Sequence, residues 1–234
     1  MRIARFRSSL DADDGGIFTA VIASSTDIDA TVERREPDYA LIDHLAAECR
    51  MPLSYGGGVS NAEQAKRILG LGVEKVSLSA AAIARPQLVA EIATQIGNQS
   101  VVVVMDVRKK LLGGYRVFTH NGKVETKVSP VDFAREVEAL GAGEIVLNAI
   151  DHDGMMNGYD LNIAQQVRDA TRLPLTVLGG AGSLDHMHDA VRRLGTTGLA
   201  AGSMFVFKGP YRAVLINYPS HAERTALQQR VALD

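Results

Sequence analysis

The 234-residue chain has one cysteine, Cys49, so no internal disulfide can form, and this usage fits a reducing, cytoplasmic compartment. It lacks any run near the ~18 apolar residues of a membrane-spanning helix. Its opening, MRIARFRSSLD, is basic without the apolar segment of a secretory leader. Charge of one sign is also lacking: the net charge is −2, which gives no reason to expect nucleic acid or an anionic membrane as a partner. No Cys/His cluster has zinc-ligand spacing, and no Gly-x-Ser-x-Gly elbow marks a hydrolase nucleophile. No motif asks for a metal or a cofactor. No Pro/Ser-rich linker divides the chain, and with 46% hydrophobic residues it suits a single α/β domain over residues 1–234.

What is present is a repeat. MPLSYGGGVSNAEQAKRILGLGVEKVSLSAAAIARP (51–86) and LPLTVLGGAGSLDHMHDAVRRLGTTGLAAGSMFVF (173–207) both read as apolar run, glycine turn, amphipathic stretch, glycine, apolar run, small residues. At an offset of 123, Gly56 and Gly57 fall on Gly179 and Gly180, Ser60 on Ser183, Ser79 on Gly202 and Ala80 on Ser203. Glycine turns at helix starts let an anion approach unpaired N–H groups, although glycines also simply make tight turns. Two such β-turn-α-β units predict duplicated half-barrels of a (β/α)₈ barrel, gripping a ligand with a phosphate at each end.

The clearest strand is Val101–Met105, a buried parallel type ending at Asp106, and 53–55, 73–78, 144–148, 175–178 and 199–201 read as further strands. Helical patterns cover 61–70, 86–97, 131–140, 160–170 and 184–194, with Ser60 and Ser129 expected as N-caps. Between them, 108–128 alternates around Asn121-Gly122, which predicts a hairpin over the barrel mouth. Residues just past barrel strands face that mouth. Asp11 and Asp106 would then oppose each other as general acid and base, although an aspartate before a turn also serves as an Asx-turn or helix cap. Asp27 and Asp29 hold the place in the first half that Asp151 and Asp153 hold in the second. Lys109 and Lys110 could attract phosphate, and His152 could touch a ligand. His186 and His188, two apart on a helix, are expected at surface positions rather than on a metal.

VVVVMDVRKK, VFTHNGK, GAGEIVLNAIDHDGMMNGYDL, LGGAGSLDH and AAGSMFVF resemble the cyclase subunit of imidazole glycerol phosphate synthase, a resemblance that runs from about Asp27 to Pro219. It implies a (β/α)₈ barrel that takes ammonia from a glutaminase partner subunit. It implies that this ammonia attacks a bis-phosphate ribulosyl nucleotide in the barrel, giving imidazole glycerol phosphate and an aminoimidazole carboxamide ribotide for histidine and purine synthesis. It implies Asp11 and Asp106 as the catalytic pair. One phosphate grip falls on Gly57 and Gly58, with Ser79 and Ala80 where the family has Asn and Thr. The other falls on Asp153, Gly154, Gly180, Gly202 and Ser203. Asn148 replaces a Thr near the substrate. Arg5, Lys75 and Glu144 match three of four charged residues that gate ammonia entry at the far end of the barrel.

DIDATVERREPDYALIDHLAAECRMPLSYGGG and MFVFKGPYRAVLINYPS look like the paralogues found with surface-polysaccharide sugar amidotransferases. That leaves two further readings open: an accessory barrel that conducts ammonia without cyclising anything, and a sugar isomerase on a similar two-aspartate barrel. The first β/α unit is abbreviated. Asp106 to Asp151 spans 45 residues, whereas Asp11 to Asp27 spans 16, too few for a loop and helix. The family's long loop with its phosphate-contacting lysine is missing, and Thr19 stands in its place.

Overall fold

A computed structural model describes residues 5–10, 17–26, 35–49, 51–111, 113–209, 213–215 and 219–233, the first two segments as backbone. The chain opens with strands β1 (Arg5–Leu10) and β2 (Ile17–Thr26), then α1 (Tyr39–Glu48), β3 (Leu53–Gly56), α2 (Ala62–Gly70), β4 (Lys75–Leu78), α3 (Ala80–Ala84) and α4 (Gln87–Ile96). The second half comprises β5 (Val101–Lys109), the hairpin β6 (Tyr115–Thr119) and β7 (Val124–Glu125), α5 (Pro130–Ala139), β8 (Glu144–Ala149), α6 (Leu161–Ala170), β9 (Leu175–Leu178), α7 (Leu184–Leu194) and β10 (Gly198–Ala200). A short α8 (Ser203–Val206), a small ribbon of β11 (Phe207–Lys208) and β12 (Ala213–Val214), and α9 (His221–Leu233) follow. Among the described residues no helix is long and apolar enough to cross a membrane.

The pairing order β1-β2-β3-β4-β5-β8-β9-β10 returns to β1, which closes a (β/α)₈-type barrel. Burial explains the strands. Val101, Val103, Met105 and Val107 of β5 are buried on the helix-facing side, and each such side chain is worth about 1.5–3 kcal/mol. Helices bury one stripe against them, as in α5, where Phe133, Ala134 and Val137 face inward. Ser129 caps that helix by accepting the Asp132 N–H, with Pro130 at its first turn, as the sequence predicts.

Four expectations need correction. First, β1 pairs antiparallel with both β10 and β2, so it runs from the mouth towards the opposite end rather than towards the mouth. With no helix-length crossover between them, two successive strands can only reverse as a hairpin. Thr19 accordingly lies inside β2, opposite Ser8. Second, Asp106 does not end its strand: β5 continues to Lys109 because its last residues pair with β6. Third, the cap of α2 is Asn61, whose side chain accepts the Gln64 N–H, while Ser60 bonds the Gln64 side chain instead. Fourth, His188 is buried beside Met187 and Ala190, although His186 remains part-exposed.

The third correction resets the repeat. Cap Asn61 (φ −151°, ψ 167°) has the backbone of cap Ser183 (φ −154°, ψ 166°). Gly57 and Gly58 (φ +119° and +70°) therefore correspond to Gly179 and Gly180 (φ +92° and +103°), an offset of 122. Ser79 and Gly202 still match at 123, as N-caps of α3 and α8, so one residue is gained between.

Candidate active site

The mouth is the end where the parallel strands finish. Asp106 of β5 and Asn148 of β8 stand at one level there, joined by register. The Asn148 amide donates to Asp106 Oδ1 at 2.8 Å. A carboxylate can only accept, so this bond fixes which end of the carboxamide faces Asp106. Asn148 is 6% exposed, and its Oδ1 is buried without a hydrogen-bond partner. Leaving a buried acceptor unmatched costs about 1–3 kcal/mol, which the fold spends to hold the Asp106 carboxylate in place.

The second glycine loop lies beside this pair. Asp153, Gly154, Gly180, Gly202 and Ser203 line one concavity, with contributions from Gly179 and Ala201. Its shape depends on missing side chains. A Cβ on Gly180 would run into the Gly158 carbonyl, and the Gly158 N–H donates to Gly180 O at 2.8 Å. Above Gly202 lies open space. The floor of the concavity is tied down at Tyr159, whose hydroxyl donates to Ala200 O at 3.1 Å and whose burial pushes its pKa up. The His152 and Asp153 N–H groups both bond the Ala149 carbonyl at 3.0 Å, turning the chain sharply after β8. His152 is occupied by the Gly158 carbonyl at 3.0 Å. The first-half counterparts, Gly57 and Gly58, sit between β3 and α2, where a Cβ on Gly58 would press on Arg35 O. Ser79 caps α3 with its backbone and makes no side-chain cap bond.

At the opposite end, Lys75 and Glu144 begin their strands and form an ion pair of 2.8 Å. Glu144 is fully buried, and Thr176 donates to its other oxygen at 2.9 Å. Ser54 and Ser77 share a hydrogen bond of 3.0 Å in the barrel between these ends. Sequence reasoning missed Thr176, Ser54 and Ser77. Their signal was a polar residue at an inward position of an otherwise apolar strand.

Not every expected residue joins these groups. Arg5 is described as backbone, opposite Ala200 of β10 on one side and Ile22 of β2 on the other, and Ile22 lies one step before the β2–β3 pair of Ala23 and Leu53, towards the end of the barrel where Lys75 begins β4. Asp11 lies outside the described residues, as do Asp27 and Asp29, and β1 before Asp11 finishes at Leu10, opposite Ile17. Lys110 is engaged by Glu125 at 2.8 Å, and the Lys109 N–H by Asp151 at 3.2 Å.

Residues 21–211 match the family described as "Histidine biosynthesis protein". Over 202 residues the chain is 52% identical to "Putative imidazole glycerol phosphate synthase subunit HisF" of Leptospira interrogans, covering 86% of this chain and 80% of that protein. It is 52% identical over 199 residues to the "subunit hisF3" counterpart of Vibrio vulnificus, covering 85% and 76% of the two chains. It is 45% identical over 193 residues to the "subunit hisF2" counterpart of Pseudomonas aeruginosa, covering 82% and 77%.

Proposed function

The chain belongs to the histidine biosynthesis protein family, and from that membership we propose that it is a cyclase subunit of the imidazole glycerol phosphate synthase type. In this reading residues 1–234 act as one barrel domain, paired with a glutaminase subunit that supplies ammonia. The substrate is a ribulosyl aminoimidazole carboxamide nucleotide with a phosphate at each end. One phosphate lies on Gly57, Gly58 and Ser79, the other on Asp153, Gly154, Gly180, Gly202 and Ser203, held by backbone N–H groups that glycine leaves open. Asp106 moves protons at the reacting centre, and Asn148 keeps its carboxylate aimed. Ammonia enters at the floor past Lys75 and Glu144, and the hydroxyls of Ser54, Ser77 and Thr176 offer it hydrogen bonds on the way.

The observation that carries this reading is Asp106, held at 2.8 Å by a buried Asn148 at the level of the mouth. The test is ammonia-dependent turnover of the ribulosyl substrate. Asp106→Asn should lower it by roughly 10²-fold or more, as expected for a lost general acid or base. Equal rates in the two proteins would remove Asp106 from the chemistry.

One observation favours a second reading, an accessory barrel that passes ammonia to a sugar amidotransferase. β1 runs antiparallel to its neighbours, and among the described residues it ends at Leu10, opposite Ile17 at the start of β2, whereas the parallel strands end at the mouth beside Asp106. On this reading the chain stimulates its glutaminase partner but leaves the ribulosyl substrate unchanged.

A further inference from the structure

The hairpin after β5 carries charge that neither reading uses. Between residues 107 and 128 stand six Lys or Arg and one Glu, in a chain whose net charge is −2. Two of these cations are set directly opposite each other, because Arg108 of β5 pairs in register with Arg116 of β6. One step towards the barrel, Asp106 pairs with Phe118. Side chains alternate along a strand, so Arg108 shares the face of Asp106, and Arg116 shares the face of Phe118. The other face of the hairpin is spent on packing: Val107, Tyr115 and Val117 are buried. Both arginines therefore lie on the mouth side, just above Asp106.

Like charges directly across an antiparallel pair oppose folding. The protein does little to relieve this. Arg108 lies over the Phe118 ring, 4.8 Å from its centroid, and its nearest carboxylate is Asp151, at 4.0 Å. Asp151 is shared, since it also accepts the Lys109 N–H. Arg116 bonds the Tyr115 carbonyl at 3.0 Å and has no ion pair with a carboxylate among the described residues. Glu125, the one acidic residue of the hairpin, is taken by Lys110. The turn holds the pair in place. Asn121 and Gly122 both have positive φ (60° and 76°), as a type I′ turn requires, and a Cβ on Gly122 would touch Ile150 and approach Arg108. The hairpin is thereby fixed against the 150–154 loop, which borders the concavity of Asp153 and Gly154.

We propose that Arg108 and Arg116 form an oxyanion clamp over the mouth, a third anion site distinct from the two glycine loops, which takes the phosphate or carboxylate group of a further small-molecule anion. Two planar guanidiniums carried at directly opposite positions of a hairpin can each donate a forked pair of hydrogen bonds to such a group. An anion between them converts their repulsion into shared attraction. Phe118 beneath them supplies an apolar wall that keeps Arg108 over the mouth.

The test is a titration of the full chain, 15N-labelled, with inorganic phosphate at constant ionic strength, following the arginine Nε–H signals. Arg108 and Arg116 should shift together and saturably. Arg116→Gln should weaken the response of Arg108 by about tenfold or more, as expected for a lost charge-assisted fork. Arg116→Lys, which keeps the charge without the fork, should fall between. A parallel titration with malonate separates the two sources: a stronger response to phosphate assigns a phosphoryl group, a stronger response to malonate a carboxylate. If neither anion moves the two signals, or if Arg116→Gln leaves the Arg108 response intact, there is no clamp. Because the titration reads no turnover, a chain without cyclase activity would still bind the anion. An active cyclase whose Arg108 ignores both anions would refute the clamp alone.

Discussion

Replacing Lys75 by methionine tests whether the barrel floor is sealed. The ion pair it breaks is asymmetric: the Lys75 side chain is 16% exposed and that of Glu144 is 1% exposed. If Glu144 lies in a dry interior, Lys75→Met removes a cation at 2.8 Å from a buried carboxylate that also accepts from the Thr176 hydroxyl. Breaking a buried pair this way costs about 3–5 kcal/mol, against about 0–1 kcal/mol for an exposed one. In a chain of this size the larger figure lowers the melting temperature by about 6–20 °C. Lys75→Met combined with Glu144→Met should recover part of that loss, since the buried carboxylate that lost its lysine is then gone as well. The single variant should also respond to pH. Removing a neighbouring cation raises the folded pKa of a buried carboxyl, so its neutral form keeps stability at low pH that is lost as pH rises. Its deficit should therefore shrink between about pH 8 and about pH 5. Urea denaturation of the four proteins at both pH values measures all of this. A cost below about 1 kcal/mol, flat with pH, would mean that water already reaches Glu144 and that the floor is open.

Tyr115→Phe removes the hydroxyl that bonds the Asp160 carboxylate at 2.8 and 3.1 Å, and should cost about 1–2 kcal/mol in urea unfolding. Burial, then that hydrogen bond, pushes the Tyr115 pKa up to about 12, so its neutral form favours the folded state. That stability is full below about pH 10 and is lost as pH climbs through about 12, so Tyr115→Phe should unfold less steeply over that window than the parent does. Gly180→Ala places a Cβ against the Gly158 carbonyl at a φ of +103°, and should cost at least about 2 kcal/mol, read as a lower denaturation midpoint.

Much of the second half of the barrel is legible, because its signals are local. The valines of β5, the Ser129-Pro130 helix start and the Asn121-Gly122 turn each act over a few neighbours. Cap choice was less legible. Ser60 and Asn61 are both good caps, and only the helix phase, with Gln64 turned to Ser60, decides between them. That choice shifts the glycine alignment by one residue. The end of β5 was illegible for a different reason: strand length past Asp106 is set by its partner β6, far along the chain. The direction of β1 also depends on partners. An abbreviated unit is countable in the sequence, but whether the remaining strand runs up or down is decided by β2 and β10 together. Of the candidate site, Asp106 and the second glycine loop were readable, because glycine marks close backbone approach. The Asn148 orphan carbonyl and the Thr176 contact arise only when three strands come into register.

The reversed first strand has a consequence for the order of assembly. Its contacts with β2 join neighbours along the chain and can form early, whereas its contacts with β10 tie Arg5, Phe6 and Arg7 to Ala200, Leu199 and Gly198. Those three pairs close a loop of nearly the whole polypeptide, and loop-closure entropy delays such contacts until the rest of the sheet has reduced the search. The barrel then folds as an open, curling sheet with a preformed ribbon at one edge, and its last event is the docking of that ribbon. The same seam, only three residues long, is where the cylinder should first reopen under denaturant, well before the valine-rich wall of β5 gives way.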